Sequence, residues 1–319
     1  MDQNREAADN SFLRTSKLLF VLAAVVSLVW CSPPVALGLG LAIGLMNWNP
    51  WRKITSRLSK LALKISVVGL GFGMNPSAIL HTGKTSFVYT AVGVTAVMCL
   101  GWAAGRLLSV PFNSAFLIAA GTAICGGSAI AAVSPVISAR EEEAAVSFST
   151  VFILNSIALV LFPFIGVTLG LSQTQFGLWS ALAIQDMSSV VGAGIRYGGQ
   201  ALLIGTTVKL VRSLWIVPLV ISSALLLRTR AKVSWPWFIL FFLGAAGLTV
   251  TLPGATPLWT ILSGAAKAGF SLTLFLIGSG ISRKAVREMG WRPMAMGVLL
   301  WLIVSTVTLS CIDHGWISL

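Results

Sequence analysis

Ala183-Ile184-Gln185-Asp186-Met187-Ser188-Ser189 sets four polar side chains within five residues, in the middle of an otherwise apolar stretch, 176–197. Asp186 is the one of nine carboxylates that does not fall in a tail or a charged connection. An ionisable group at membrane depth costs about 2.5–3.5 kcal/mol on insertion scales, so it marks a function by default. The alternative is an exposed loop carrying an ordinary surface acid. The rest of the chain decides between them.

The chain has 319 residues, 56% of them hydrophobic and 10% charged. A soluble domain carries about 25% charge. The mean hydropathy is +0.90. Apolar runs recur from end to end, over 18–31, 34–48, 57–74, 85–106, 112–138, 145–169, 176–197, 204–227, 236–252, 264–282 and 292–311. They are continuous rather than alternating, which excludes a β-barrel. The expected fold is an all-α polytopic membrane protein of nine to eleven hydrophobic segments. Connections are short, so residues 17–319 read as a single transmembrane domain behind a cytoplasmic tail, 1–16.

The net charge of +13 does not signal nucleic acid, because no soluble basic domain exists to carry it. The positive-inside rule accounts for most of it. Arg14 and Lys17 precede the first segment. Arg52, Lys53, Arg57 and Lys60 follow the second, Arg228, Arg230 and Lys232 the eighth, and Arg283, Lys284 and Arg287 the tenth. All four clusters share one side if the amino terminus is cytoplasmic. Segments 112–138 and 176–197 must then both span or both re-enter. Trp48, Trp51, Trp235, Trp237 and Trp291 near segment ends fit an interfacial belt. Cys31, Cys99, Cys125 and Cys311 lack metal or disulfide spacing.

A second unusual stretch is Thr122-Ala123-Ile124-Cys125-Gly126-Gly127-Ser128. Adjacent glycines weaken a helix by about 1 kcal/mol each. A break frees backbone groups that lipid does not tolerate unless protein or water covers them. A half-helix starting near Ser128 would turn its positive end toward the break and favour an anion. Close helix packing is the rival explanation. The stretch echoes 183–188 at a distance of 60 residues. Lys60, Gly71, Gly73 and Gly83 recur 207 residues later as Lys267, Gly278, Gly280 and Gly290. Inverted repeats meeting at a midplane site are a common carrier plan.

Lys209 and Arg212 lie three apart on one helical face, with Lys209 about 12 Å along the helix from Ala201. The guanidinium fork suits carboxylate, sulfonate or sulfate. A structural ion pair with Asp186 is the simpler alternative. Lys64 is expected near the cytoplasmic interface and Lys267 close to the outer end of its helix, both reaching the interface by snorkelling. Asn155 is a polar residue deep in 145–169, suited to lining a cavity or to a helix–helix hydrogen bond. Glu141, Glu142 and Glu143 read as a helix start. No zincin, P-loop or metal-spaced Cys/His motif is present.

Residues 122–137, followed by Glu142 and Glu143, together with Phe176 to Asp186, 208–212 and Gly71-Phe72-Gly73, resemble the sulfate exporter family of bacterial membrane proteins. The likeness covers roughly residues 34 to 311. It implies an inner-membrane carrier with inverted repeats, related to bile-acid and arsenite transporters. Family members often carry a small residue at Gly127 and His where Gln185 stands, so a proton relay is not expected at Gln185.

The resulting expectation is a secondary-active transporter of a small anion (sulfate, sulfite, or an organic sulfonate or carboxylate) working by alternating access, and not an enzyme. Thr122, Cys125, Gly126, Gly127, Ser128, Gln185, Ser188, Ser189, Lys209 and Arg212 would bind the anion. Asp186 and Asn155 would serve coupling or gating. No metal or cofactor is expected beyond coupling to H⁺ or Na⁺. The expected partners are the anion, the lipid bilayer and a second copy of the chain in a homodimer. On this reading Arg212→Ala weakens binding in a folded protein and Gly127→Leu blocks a crevice. The rivals are a passive anion channel, an intramembrane enzyme pairing Ser128 or Ser188 with Lys209, and a structural or sensory membrane protein with no flux.

Overall fold

The computed structural model describes residues 2–227, 237–281, 283 and 290–318, and every regular element among them is helical. The chain is an all-α polytopic membrane protein. Arg228, Arg230, Lys232, Trp235, Lys284 and Arg287, used above for orientation and the belt, lie outside the described residues.

Each apolar run becomes helix. In order these are α1 (Asp2–Val29), α2 (Pro33–Leu45), α3 (Arg52–Gly71), α4 (Pro76–Leu107), α5 (Phe112–Ala123), α6 (Gly127–Val133), α7 (Glu141–Thr168), α8 (Gln173–Ala183), α9 (Met187–Tyr197), α10 (Gly199–Leu214), α11 (Ile216–Leu227), α12 (Trp237–Thr251), α13 (Thr256–Gly280) and α14 (Trp291–Asp313). By length and composition, five helical stretches are able to cross a membrane: α4, α7, α10 continued into α11, α13 with its preceding 3₁₀ turn, and α14.

The starts follow from local chemistry. Pro33 and Pro76 occupy first-turn positions, where a missing N–H costs nothing. Asn75 caps α4 and Ser172 caps α8. Glu143 accepts from Arg140 N at 2.9 Å and pairs with the Arg140 guanidinium at 3.2 Å, which sets the start of α7.

Two expectations shift in detail. α1 begins at Asp2, so residues 2–16 continue the first helix. Lys267 is not near the end of its helix, because α13 starts at Thr256, eleven residues or about 16 Å earlier. Lys64 lies twelve residues into α3, on its exposed side.

The helices sort into two bundles. α1, α2, α3, α12 and α13 pack together, and α4 to α11 pack with α14. Small residues set the first bundle: Gly40 and Gly44 lie against the backbone of Phe275 and Ile281, and Gly69 against Ala266. The bundles meet along few lines, chiefly α9 on α13, α2 on α7 and α9, and α12 on α4. Gly192 of α9 is one such point: a Cβ there would stand 3.2 Å from Pro33 Cβ and 3.3 Å from Leu274 Cδ1.

The two interrupted segments are re-entrant hairpins, not spans. Asn113 Nδ2, at the start of α5, donates to Glu143 Oε2 at 3.0 Å, at the start of α7. The two starts therefore share a face, and Ser147 Oγ continues the parallel alignment by donating to Ser114 O. α6 must return toward that face before α7 begins. In the second segment Tyr197 Oη donates to Leu171 O at 2.6 Å, and Gln200 Nε2 to Thr174 Oγ1 at 3.0 Å. The beginning of α8 and the end of α9 are thus neighbours as well. α7 runs 28 residues between the two faces, so the hairpins enter from opposite sides.

Candidate functional site

The hairpin tips touch midway along α7. Gly126, at the first tip, has φ +62° and ψ −124°, a region open to glycine and strained for other residues. A Cβ on it would sit 3.3 Å from Asp186 Cα at the second tip. Gln185 Nε2 donates to Thr122 Oγ1 at 3.0 Å and joins the tips directly.

Each tip ends one half-helix and starts another. α5 and α8 present C-terminal carbonyls, and α6 and α9 present N-termini. Free carbonyls at this depth need partners. Lys209 and Arg212 of α10 supply them. Lys209 Nζ donates to Ile184 O at 2.6 Å and to Ala181 O at 3.3 Å. Arg212 donates through Nε to Ala123 O, through Nη1 to Leu182 O and Ala181 O, and through Nη2 to Thr122 O. A cation at a helix C-terminus is also favoured by the helix dipole. One guanidinium therefore closes the ends of both hairpins' entering arms.

This arrangement replaces the ion pair weighed from the sequence. Among the described residues no salt bridge joins Lys209 or Arg212 to Asp186. Asp186 instead caps its own helix, accepting from Ser188 N at 3.0 Å and from Ser188 Oγ. Asn155 of α7 holds the second tip open: its Oδ1 accepts from Gln185 N at 3.0 Å and Asp186 N at 3.1 Å. Asn155 Nδ2 and Gln185 Oε1 are buried without a partner. They leave one donor and one acceptor unspent at the tips.

The structure therefore gathers Thr122, Cys125, Gly126, Asn155, Gln185, Asp186, Ser188, Ser189, Lys209 and Arg212, all of them buried. Ser128 stands apart, on the exposed side of α6. Gly127 faces the aromatic pair Phe148 and Phe152, where an added Cβ would approach to 3.3 and 3.1 Å. A leucine at 127 would disrupt that packing rather than block a crevice, and the backbone constraint belongs to Gly126. Lys209 Nζ bonds carbonyls and Ser188 bonds Asp186, so neither Ser128 nor Ser188 is hydrogen-bonded to the Lys209 amine as the enzyme reading requires.

Sequence reasoning overlooked the carbonyls of Ala123, Ala181, Leu182 and Ile184, which no side chain advertises. It also passed over Thr206, whose hydroxyl is buried without a partner one turn before Lys209; Thr207, likewise unpartnered, lines an apolar pocket between α4, α10 and α12. A hydroxyl one turn ahead of the first of two buried cations was the available signal.

The profile of a family described as conserved hypothetical protein 698 matches residues 17–297. A UPF0324 membrane protein from Geobacter sulfurreducens is 46% identical over 296 residues, covering 93% of this chain and 96% of that one. Similar proteins from Bacteroides thetaiotaomicron, 44% identical over 89% of this chain and 87% of that one, and Bdellovibrio bacteriovorus, 43% identical over 95% and 96%, carry the same description. Among solved structures, the sodium proton antiporter MjNhaP1 from Methanocaldococcus jannaschii at pH 8 aligns over 95% of each chain. Its identity of 15% and TM-score of 0.26 are too low to bear on fold or activity.

Proposed function

We propose a transport function for this chain, which belongs to the bacterial membrane family described as conserved hypothetical protein 698. It is a secondary-active carrier of a small anion in the bacterial inner membrane, with the amino terminus cytoplasmic. The cargo is sulfate, sulfite, or an organic sulfonate or carboxylate. The observation that carries this reading is the meeting of two hairpin tips around Lys209, Arg212 and Asp186, all buried. With all three ionised their formal sum is +1, and a single negative charge balances it.

The cations contribute in a different way from free anion ligands. Arg212 spends its donors on carbonyls and holds both tips, while its positive charge still favours an anion beside them. Direct recognition falls to the unspent groups: Asn155 Nδ2, the Thr206 hydroxyl, and the remaining Lys209 proton. On this reading Asp186 exchanges H⁺ or Na⁺ during the cycle. Movement is alternating access of one bundle against the other.

Counterflow in proteoliposomes tests the reading. Vesicles loaded with unlabelled anion should accumulate labelled sulfate, sulfite, sulfonate or carboxylate transiently and saturably, and Lys209→Gln should abolish the overshoot. Flux that neither saturates nor shows counterflow would assign a channel instead. Chemically altered anion recovered inside the vesicles would point to catalysis.

A further inference from the structure

A basin of about 590 Å³, with a mixed polar and apolar lining, lies away from the hairpin tips, between the turn linking α3 to α4 and the junction of α12 with α13. One face of α13 descends into it. Thr256, Thr260, Ser263 and Lys267 follow one another at helical spacing along that face, and all four line the basin. The opposite wall brings Gly73, Asn75 and Thr249. Phe72 and Trp259 stack with centroids 5.1 Å apart and planes within 2°, and the indole is further fixed by donating to Leu252 O at 3.1 Å. The rim is thereby set in place before any ligand arrives.

Three donors remain for a ligand, on Lys267, Asn75 and Ser263; the hydroxyls of Thr249, Thr256 and Thr260 are spent on nearby backbone carbonyls. Lys267 is exposed to the basin and has no ion pair among the described residues. Asn75 Oδ1 is occupied as a helix cap by Ser77 N at 2.9 Å and Ser77 Oγ at 2.7 Å, which leaves its Nδ2 amide for another partner. Gly73 carries no Cβ, and the room this leaves is where the Ser263 hydroxyl lies. An ammonium, an amide N–H₂ and a hydroxyl around one space, with no acid among the lining residues, suit a negatively charged oxygen cluster. The floor is apolar. Met74 lines the basin and belongs to the same buried cluster as Met187, the residue that follows Asp186.

We infer that this basin is a binding site for a small tetrahedral oxyanion, an antechamber separated from the hairpin tips by the Met74–Met187 layer. The antechamber role rests on the carrier reading; the oxyanion site does not. A phospholipid phosphate offers the same chemistry as free sulfate, so the test must tell the two sources apart.

Gly264→Cys supplies the probe. Gly264 lines the basin three residues before Lys267, and a Cβ there meets nothing within 4 Å. Full-length protein in phosphatidylcholine nanodiscs is labelled with methanethiosulfonates bearing either a sulfonate or a trimethylammonium group, and the rate at residue 264 is read by peptide mass spectrometry. Adding Lys267→Gln should lower the sulfonate-to-ammonium rate ratio about tenfold, and millimolar inorganic sulfate should slow labelling only when Lys267 is present. A ratio unmoved by Lys267→Gln overturns the site. Protection by phosphatidylglycerol nanodiscs with none by sulfate overturns the antechamber and leaves a lipid headgroup as occupant. Absent counterflow with the rate ratio and sulfate protection intact would sink the carrier reading alone.

Discussion

Arg212 is where a single side chain decides the geometry of both hairpins. Its contacts are four backbone carbonyls from two segments far apart in sequence. Hydrogen bonds to a charged donor are worth about 1.5–3 kcal/mol, and buried acceptors left unpaired cost about 1–3 kcal/mol. Arg212→Met should therefore destabilise the protein by roughly 3 kcal/mol or more, read as a lower unfolding midpoint in detergent. Arg212→Lys keeps the charge and loses the planar fork, so it should fall between the two. This revises the view from sequence that Arg212→Ala weakens binding in an otherwise intact protein. A midpoint unchanged in Arg212→Met would show that the carbonyls find other partners. Asp186→Asn preserves helix capping, since asparagine is an equally good cap. It should leave stability nearly unaltered and remove the pH or Na⁺ dependence of flux. Wild-type dependence on both would take Asp186 out of the coupling.

At the scale of elements the feature to explain is a hairpin that turns inside the membrane. Gly126 makes the first turn by adopting a backbone conformation that strains any other residue. Gly126→Ala should cost about 1–3 kcal/mol and, by pressing on Asp186, reduce transport more than stability. Equal loss of both would make Gly126 a folding residue only.

Much of this level was legible in the sequence, for definite reasons. The paired glycines at 126–127 and the polar run at 185–189 violate helix and lipid preferences together, so both interruptions could be read. Asn155 stood out as a polar residue far from any end. That the segments re-enter was not legible, because apolar length is the same for a broken span and for a hairpin. Asn113 to Glu143 and Tyr197 to Leu171 are the contacts that distinguish them, and both are tertiary. Nor did the sequence reveal that Lys209 and Arg212 serve carbonyls, since backbone acceptors leave no mark on composition.

For the whole molecule, the two bundles touch along a seam in which Gly192 of α9 meets Pro33 of α2. The built Cβ at 192 lies 3.2 Å from Pro33 Cβ, close to the 3.5–4.5 Å that a disulfide prefers. Pro33→Cys with Gly192→Cys should oxidise to a crosslink that stops counterflow, and reduction should restore it. Full flux through the crosslinked protein would mean that the bundles do not shift at this seam.

The two hairpins are not equivalent in their surroundings. α9 is buried through its first eight residues, Met187 to Gly194, whereas α6 exposes Ser128, Ala131 and, just beyond it, Pro135. Local opening begins where least surface must be uncovered. Amide protons of 127–133 should then exchange with deuterium well before those of 187–194, and the first hairpin's returning arm would be the part of the fold that breathes.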